Sequence, residues 1–169
     1  YLDNAFDIQD LLNGTQIRNI TEIGGGFGGL CRILSTCVPF ETYTIIDQPE
    51  PLKLAEKYLS HYPELAGRTR FISCFNLEDI RQLPSQDLLI ACSSMSELDP
   101  GIQDFYSNSL ILNSTFAYLV YNTIHIDSAL RQLKQMVSKW QSKFLVEITS
   151  PWHSILNIGL SPAKKKPSR

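Results

Sequence analysis

Short apolar runs alternate with amphipathic stretches along most of the chain. Runs rich in β-branched residues predict buried strands, whereas apolar residues spaced three or four positions apart predict helices. Their alternation is typical of βαβ units, so we expect an α/β fold with a doubly wound, mainly parallel sheet and helices on both faces. The pattern predicts strands over 17–23, 42–47, 69–75, 87–93, 116–124 and 143–150, with a weakly marked last strand over 153–160, and helices over 5–14, 29–37, 49–62, 101–112 and 127–140.

The length and charge of the chain are typical of one ordinary globular domain. The 169 residues are 43% hydrophobic and carry a formal charge of −2. We predict a single domain over 1–162 and a disordered basic tail over 163–169. The charge gives no electrostatic reason to expect a nucleic-acid or anionic-membrane partner. No apolar run approaches the roughly 20 residues of a membrane-spanning helix.

The four cysteines, Cys31, Cys37, Cys74 and Cys92, have no CxxC spacing and lie in largely apolar surroundings. We interpret them as small buried residues in a reducing compartment, which favours a cytoplasmic location. No group of His, Asp or Glu has metal-ligand spacing, so the sequence predicts no metal site.

Five of the nine glycines fall within six residues, between the first predicted strand and the next helix. Glycine allows a tight turn and direct contact between a ligand and the backbone, and the helix that follows offers free N–H groups. No Lys-Ser/Thr pair follows, so this is not a phosphate-binding P-loop. Gly24, Gly26 and Gly29 fit the dinucleotide pattern. Glu22 followed by Gly24, Gly26 and Gly28 fits the S-adenosylmethionine pattern.

Two carboxylates bracket these glycines. Asp47 ends the second predicted strand, where its two oxygens can accept hydrogen bonds from a ribose diol. No Arg follows Asp47, which disfavours NADP. Glu22 lies in a predicted buried strand, where a carboxylate is costly unless a partner uses it. The ammonium group of a methionine moiety would be such a partner, directly or through water, whereas bonds to loop N–H groups are the alternative.

The segments EIGGGFGGL (22–30), IIDQPEPLKLAEKYL (45–59), DLLIACSSMSELDP (87–100) and YLVYN (118–122) resemble the class I S-adenosylmethionine-dependent methyltransferases. More narrowly, they resemble the sugar O-methyltransferase family. The resemblance implies a Rossmann-like fold, S-adenosyl-L-methionine as cofactor, and a small-molecule acceptor such as a sugar or glycan. The implied cofactor-binding residues are Glu22, Gly24, Gly25, Gly26, Gly28, Asp47, Gln48, Asn76, Leu77 and Ser93.

Methyl transfer to an ordinary hydroxyl requires a base near the strand ends. Glu97, after the fourth strand, is the first candidate, although a first-turn carboxylate of the next helix would look the same. His125, after the fifth strand, is the second, because an unperturbed imidazole titrates near neutrality. His153 is the third. An NAD-dependent oxidoreductase and a non-catalytic cofactor-binding or interaction domain remain as alternatives.

Overall fold

The computed structural model describes residues 1–122, 126–152 and 155–163. Strands and helices alternate along the chain until its last two strands, which are adjacent. The strands are β1 (Asn19–Ile23), β2 (Thr42–Asp47), β3 (Thr69–Ser73), β4 (Leu88–Cys92), β5 (Phe116–Asn122), β6 (Phe144–Trp152) and β7 (Ile155–Pro162). The helices are α1 (Leu2–Leu12), α2 (Gly29–Cys37), α3 (Pro49–Leu59), α4 (Leu77–Arg81), α5 (Pro100–Ser109) and α6 (Ile126–Trp140), with short 3-10 helices at Pro63–Leu65, Met95–Glu97 and Ile111–Asn113.

These strands form a seven-stranded sheet in the order β3-β2-β1-β4-β5-β7-β6. The pairs among β1 to β5 are parallel, whereas β7 runs antiparallel to both β5 and β6. The strand order reverses direction between β1 and β4, so connections leave the sheet on opposite sides of this point. The predicted doubly wound, mainly parallel α/β fold is confirmed.

Two hydrophobic clusters cover the two faces of the sheet, because successive strand residues point to opposite faces. On the first face, the buried residues of α1, α2 and α3 pack against alternate residues of the central strands, such as Ile20 and Ile90. On the second face, α4, α5 and α6 pack against the intervening residues, such as Leu89 and Leu119. Helices therefore cover both faces, which leaves the ends of the strands as the open part of the sheet.

Several predicted boundaries shift. The helix predicted over 5–14 runs from Leu2 to Leu12, and the one predicted over 49–62 ends at Leu59. The pattern missed α4, whose five residues are too few to show a helical period. The weakly marked last strand is eight residues long and lies between β5 and β6. Of the tail predicted from residue 163, only Ala163 lies within the described residues.

Among the described residues, no helix combines the length and the apolar character needed to cross a bilayer.

Candidate functional site

A cleft of about 410 Å³ opens at the carboxyl ends of β1 to β4. The strand order reverses there, and ligands of open α/β sheets bind at such a switch point. The cleft combines backbone from the glycine loop with side chains from four strand ends and from α5. Its lining residues are Ile23, Gly24, Gly26, Ile46, Asp47, Gln48, Cys74, Cys92, Ser93, Ser94, Glu97, Leu98 and Tyr106.

Gly24 and Gly28 are required by contacts within the protein. Their φ angles are +75° and +85°, in the left-handed region that favours glycine. A Cβ on Gly24 would lie 2.4 Å from the Cβ of Ser94, and one on Gly28 would lie 2.8 Å from Leu59 Cδ1. Side chains are therefore excluded here by Ser94 and by α3, a packing requirement that the sequence pattern cannot distinguish from contact with a ligand.

Gly25 and Gly26 differ in what they face. A Cβ on Gly25 would lie 2.7 Å from Ile45 Cγ2 and 2.9 Å from Glu22 Oε2, so this residue packs onto the sheet. A Cβ on Gly26 would meet no atom within 4 Å, although its φ of +56° still favours glycine. Since Gly26 also lines the cleft, it is the loop glycine that presents bare backbone to open space.

Asp47 is held in the cleft by two backbone N–H groups, one from the glycine loop and one from the residue that follows it. Its Oδ2 accepts the Gly26 N–H at 2.8 Å, and its Oδ1 accepts the Gln48 N–H at 2.7 Å. An ionised carboxylate has about four acceptor positions, so each oxygen can accept a further hydrogen bond. The two loop contacts thus orient the carboxylate without using up its capacity to bind a ligand.

Glu22 lies beneath the glycine loop and is not among the residues that line the cleft. It is 2% exposed, and its Oε2 accepts a hydrogen bond from the Tyr43 hydroxyl at 2.8 Å. Burial raises the pKa of Glu22 to about 7; the Tyr43 hydrogen bond opposes this shift, and the charge of Asp47 adds to it. The partner for this costly carboxylate is therefore a tyrosine hydroxyl of the neighbouring strand, which the sequence analysis did not identify.

The segment after β4 forms another part of the wall of the cleft. Ser93 has a φ of +65°, which is uncommon for a residue other than glycine. Its carbonyl accepts the Ser96 hydroxyl at 2.8 Å, and Ser96 Oγ in turn accepts the Asn122 N–H at 3.2 Å. Ser94 Oγ donates to the Ile23 carbonyl at 2.6 Å. These contacts tie the ends of β1, β4 and β5 together and carry Glu97, which is exposed, to the rim of the cleft.

Asn76 and Leu77 lie outside the lining of the cleft. Asn76 is the N-cap of α4: its side-chain oxygen accepts the Asp79 N–H, and its amide donates to the Asp79 carboxylate. Leu77 packs against the second hydrophobic cluster. The structure thus shows Asn76 in a capping role, the kind of turn-forming position that Asn favours. The candidate bases His125 and His153 lie outside the described residues.

Four residues that line the cleft were not predicted as site residues from the sequence: Cys74, Cys92, Leu98 and Tyr106. Cys92 accepts a hydrogen bond from the Asn4 amide at 3.3 Å, and burial raises the pKa of its thiol. The apolar surroundings of Cys74 and Cys92 predict small buried residues. Their positions were the available signal for the cleft: Cys74 lies directly after β3 and Cys92 ends β4, and the carboxyl ends of these parallel strands meet at the cleft.

Tyr106 projects from α5 toward the same strand ends. The residue is 2% exposed. Burial, with smaller contributions from the nearby Cys74 and Asp47, raises its pKa to about 12. The phenol is therefore neutral near pH 7 and keeps its proton for donation.

A second cleft, of about 400 Å³, lies between α1 and the last strands, away from the glycine loop. Its Asp7 already accepts hydrogen bonds from Tyr118 and Asn157, both at 2.8 Å. Neither cleft holds a cluster of three or more His, Cys, Asp or Glu residues suited to a metal ion, as far as the described residues extend.

The sheet order and the position of the cleft define a Rossmann-like α/β fold. No protein-family model and no curated protein matches the sequence. Among solved structures, the methyltransferase domain of bacterial CtHen1 aligns with a TM-score of 0.70 at 12% identity, over 94% of this chain and 97% of that one. The precorrin-6y C5,15-methyltransferase of Geobacter metallireducens aligns with a TM-score of 0.64 at 16% identity, over 94% and 88% of the two chains. The mitomycin 7-O-methyltransferase MmcR aligns with a TM-score of 0.66 at 15% identity, over 96% of this chain and 54% of that one.

Proposed function

We propose that the cleft binds S-adenosyl-L-methionine and that the protein transfers its methyl group to a hydroxyl oxygen of a small acceptor, such as a sugar. One observation carries the cofactor assignment: the Asp47 carboxylate and the bare backbone of Gly26 face the same open cleft at the switch point of the sheet. In this arrangement Asp47 binds the ribose hydroxyls and Gly26 leaves room for the ligand beside the loop.

The charge of the cleft supports this cofactor over NAD. The described lining residues include two carboxylates, Asp47 and Glu97, and no Lys, Arg or His. A pyrophosphate group placed there would have the backbone N–H groups of the loop and of α2 as donors but no cationic side chain to offset its charge. A ligand that carries a sulfonium and an ammonium group would instead be attracted.

The cofactor, when bound, supplies an electrophilic methyl group on a positively charged sulfur. The protein must then orient an acceptor and remove its proton. We assign the second task to Glu97, because it is the carboxylate that the β4 segment carries to the rim of the cleft. The sugar-like acceptor rests on the resemblance of the sequence. The fold leaves the acceptor open, since another similar structure is a small RNA methyltransferase, with a TM-score of 0.70 at 14% identity.

Calorimetric titration of the wild-type protein with S-adenosylhomocysteine and with NADH tests the cofactor. We expect binding of the first and none of the second. Asp47→Ala should weaken binding of S-adenosylhomocysteine by about 1.5–3 kcal/mol, because charge-assisted hydrogen bonds to the ribose are lost. Tight NADH binding without S-adenosylhomocysteine binding would overturn the proposal.

Asp87→Ala is the matched control for this substitution. Asp87 Oδ2 accepts the backbone N–H groups of Arg18 and Asn19 at 2.7 and 2.9 Å, at the amino ends of β1 and β4. Both variants therefore lose two hydrogen bonds that a carboxylate accepts from backbone N–H groups, but only Asp47 lines the cleft. Equal losses of affinity in the two variants would mean that Asp47 acts only through the stability of the fold.

Glu97→Gln tests the base. We expect cofactor affinity to stay within about twofold of wild type while methyl transfer to a panel of glycosides falls by about 10²-fold or more. Asp99→Asn is the control, since this carboxylate lies two residues further along the chain and outside the lining of the cleft. Unchanged turnover in the Glu97 variant would remove Glu97 from the mechanism.

A further inference from the structure

Four tyrosines are buried among the described residues, and one of them differs from the rest. Tyr43, Tyr118 and Tyr121 each donate a hydrogen bond to a side-chain oxygen at 2.8 Å. Within the part of the chain that the structure describes, the Tyr106 hydroxyl has no hydrogen-bond partner. Buried tyrosine hydroxyls are normally paired, so this exception calls for a physical reason.

The reason is the direction in which Tyr106 points. No fully buried side-chain nitrogen or oxygen lacks a partner among the described residues, so the unpaired Tyr106 oxygen must reach accessible space. The accessible space next to this residue is the cleft, because Tyr106 is one of its lining residues. Its ring is therefore held in the second hydrophobic cluster while its hydroxyl faces the cleft.

The neighbours of the hydroxyl show which part of the cleft it faces. Arg81, the last residue of α4, lies over the ring of Phe105 at 5.3 Å, so α5 packs beside the segment that follows β3. Cys74, directly after β3, packs against the second hydrophobic cluster, to which Tyr106 belongs. The Cys74 N–H also donates to the Asp47 carbonyl at 2.8 Å, which fixes the two strand ends side by side. If Asp47 binds the ribose, the base attached to that ribose can extend toward the end of β3 and the Tyr106 hydroxyl.

We propose that the Tyr106 hydroxyl is the group that recognises the nucleobase of the bound cofactor, through a hydrogen bond to the edge of the adenine. This inference rests on the proposed function, since it concerns the same cleft and the same ligand. The neutral phenol can donate to a ring nitrogen or accept from the exocyclic amino group. A ligand that lacks the base would lose this contact and keep those to Asp47 and the loop.

The test compares Tyr106→Phe with wild type, using two ligands. S-Adenosylhomocysteine carries the base, and S-ribosylhomocysteine keeps the ribose and the amino acid without it. We expect the variant to bind S-adenosylhomocysteine about threefold to tenfold more weakly, the effect of one neutral hydrogen bond. Its affinity for S-ribosylhomocysteine, measured by competition, should equal that of wild type.

Tyr121→Phe is the matched control, because its hydroxyl donates to Gln103 within the second hydrophobic cluster and is not in the lining of the cleft. Thermal melts without ligand separate binding from folding. Tyr121→Phe should lower Tm by about 2–4 °C for each kcal/mol lost, whereas Tyr106→Phe removes an unpaired hydroxyl and should leave Tm unchanged. A lowered Tm for Tyr106→Phe would contradict the unpaired state of its hydroxyl.

Two results would overturn the inference while leaving the proposed function intact: unchanged affinity of Tyr106→Phe for S-adenosylhomocysteine, or an equal loss of affinity for the base-free ligand. Failure of the wild-type protein to bind S-adenosylhomocysteine would overturn both.

Discussion

Glu22→Gln should change the way in which stability depends on pH. The Glu22 carboxyl is 2% exposed and bonded to the Tyr43 hydroxyl, and burial raises its pKa from 4.5 to about 7. In the unfolded chain the group ionises near its ordinary pKa. Between these two pKa values the folded protein holds a proton that the unfolded chain has released, so rising pH favours unfolding.

The size of the effect follows from the two pKa values. Each pH unit between the two pKa values lowers the free energy of unfolding by about 1.4 kcal/mol. The raised pKa of Glu22 therefore lowers the free energy of unfolding by about 3 kcal/mol once the pH exceeds 7. Below pH 4.5 the group is neutral in both states and costs nothing of this kind. Gln is neutral at every pH and keeps an oxygen that can accept from Tyr43, so it removes the titration and preserves the shape.

The assay is urea denaturation of wild type and Glu22→Gln from pH 5 to pH 8. The difference between their free energies of unfolding cancels the other titrating groups. It should move in favour of the Gln variant by about 2.5 kcal/mol over this range and then level off. Tyr43→Phe removes the hydrogen bond that lowers the pKa of Glu22, so in that protein the change should lie at higher pH. A difference that stays constant from pH 5 to pH 8 would refute the reasoning, because it would mean that Glu22 titrates alike in the folded and unfolded protein.

Substitutions of three glycines by alanine separate the roles of these residues. Gly26→Ala and Gly67→Ala both place a Cβ in open space at positive φ, so each should lower the free energy of unfolding, measured by urea denaturation, by about 1–2 kcal/mol. Only Gly26→Ala should also weaken S-adenosylhomocysteine binding in calorimetry. An equal affinity in the two variants would contradict our assignment of Gly26 to the ligand surface. Gly28→Ala should cost about 2–4 kcal/mol because it adds overlap with Leu59 to an unfavourable φ, and adding Leu59→Ala should make the double variant less unstable than the sum of the single ones. Strictly additive losses of unfolding free energy would show that contact with Leu59 does not set the requirement for glycine at this position.

The central half of the fold was predictable because each element there is a local pattern. β2 is a run of β-branched and aromatic residues that ends at Asp47, and α3 begins with Pro49 at a position that suits a first turn. The placement of β7 was less accessible. It pairs with β5, which lies more than thirty residues earlier in the chain. Most of its residues are half-buried, and this pattern does not identify an antiparallel strand until its neighbours β5 and β6 are known.

The candidate site was predictable only where chemistry and position coincide along the chain. Asp47 ends β2 and Glu97 lies in the segment that follows β4, and a carboxylate at or shortly after the end of a parallel strand suggests a role in the cleft. Tyr106 falls within the helix predicted over 101–112, and the helical pattern alone assigns it no role in a site. Its ring packs in the second hydrophobic cluster and the residue lines the cleft, because α5 lies close to the strand ends in three dimensions, which a local pattern does not contain.

The glycine loop shows why a motif is weaker evidence than the surface it builds. Gly24, Gly25 and Gly28 face other atoms of the protein, so a domain of this fold would need glycine at these three positions even if it bound no ligand. What points to a ligand is the remainder: open space at Gly26, acceptor capacity left on Asp47, and an unpaired hydroxyl at Tyr106. These groups offer hydrogen bonds and negative charge and no cationic side chain. They therefore support the cofactor that we propose, a nucleoside that carries positive charge.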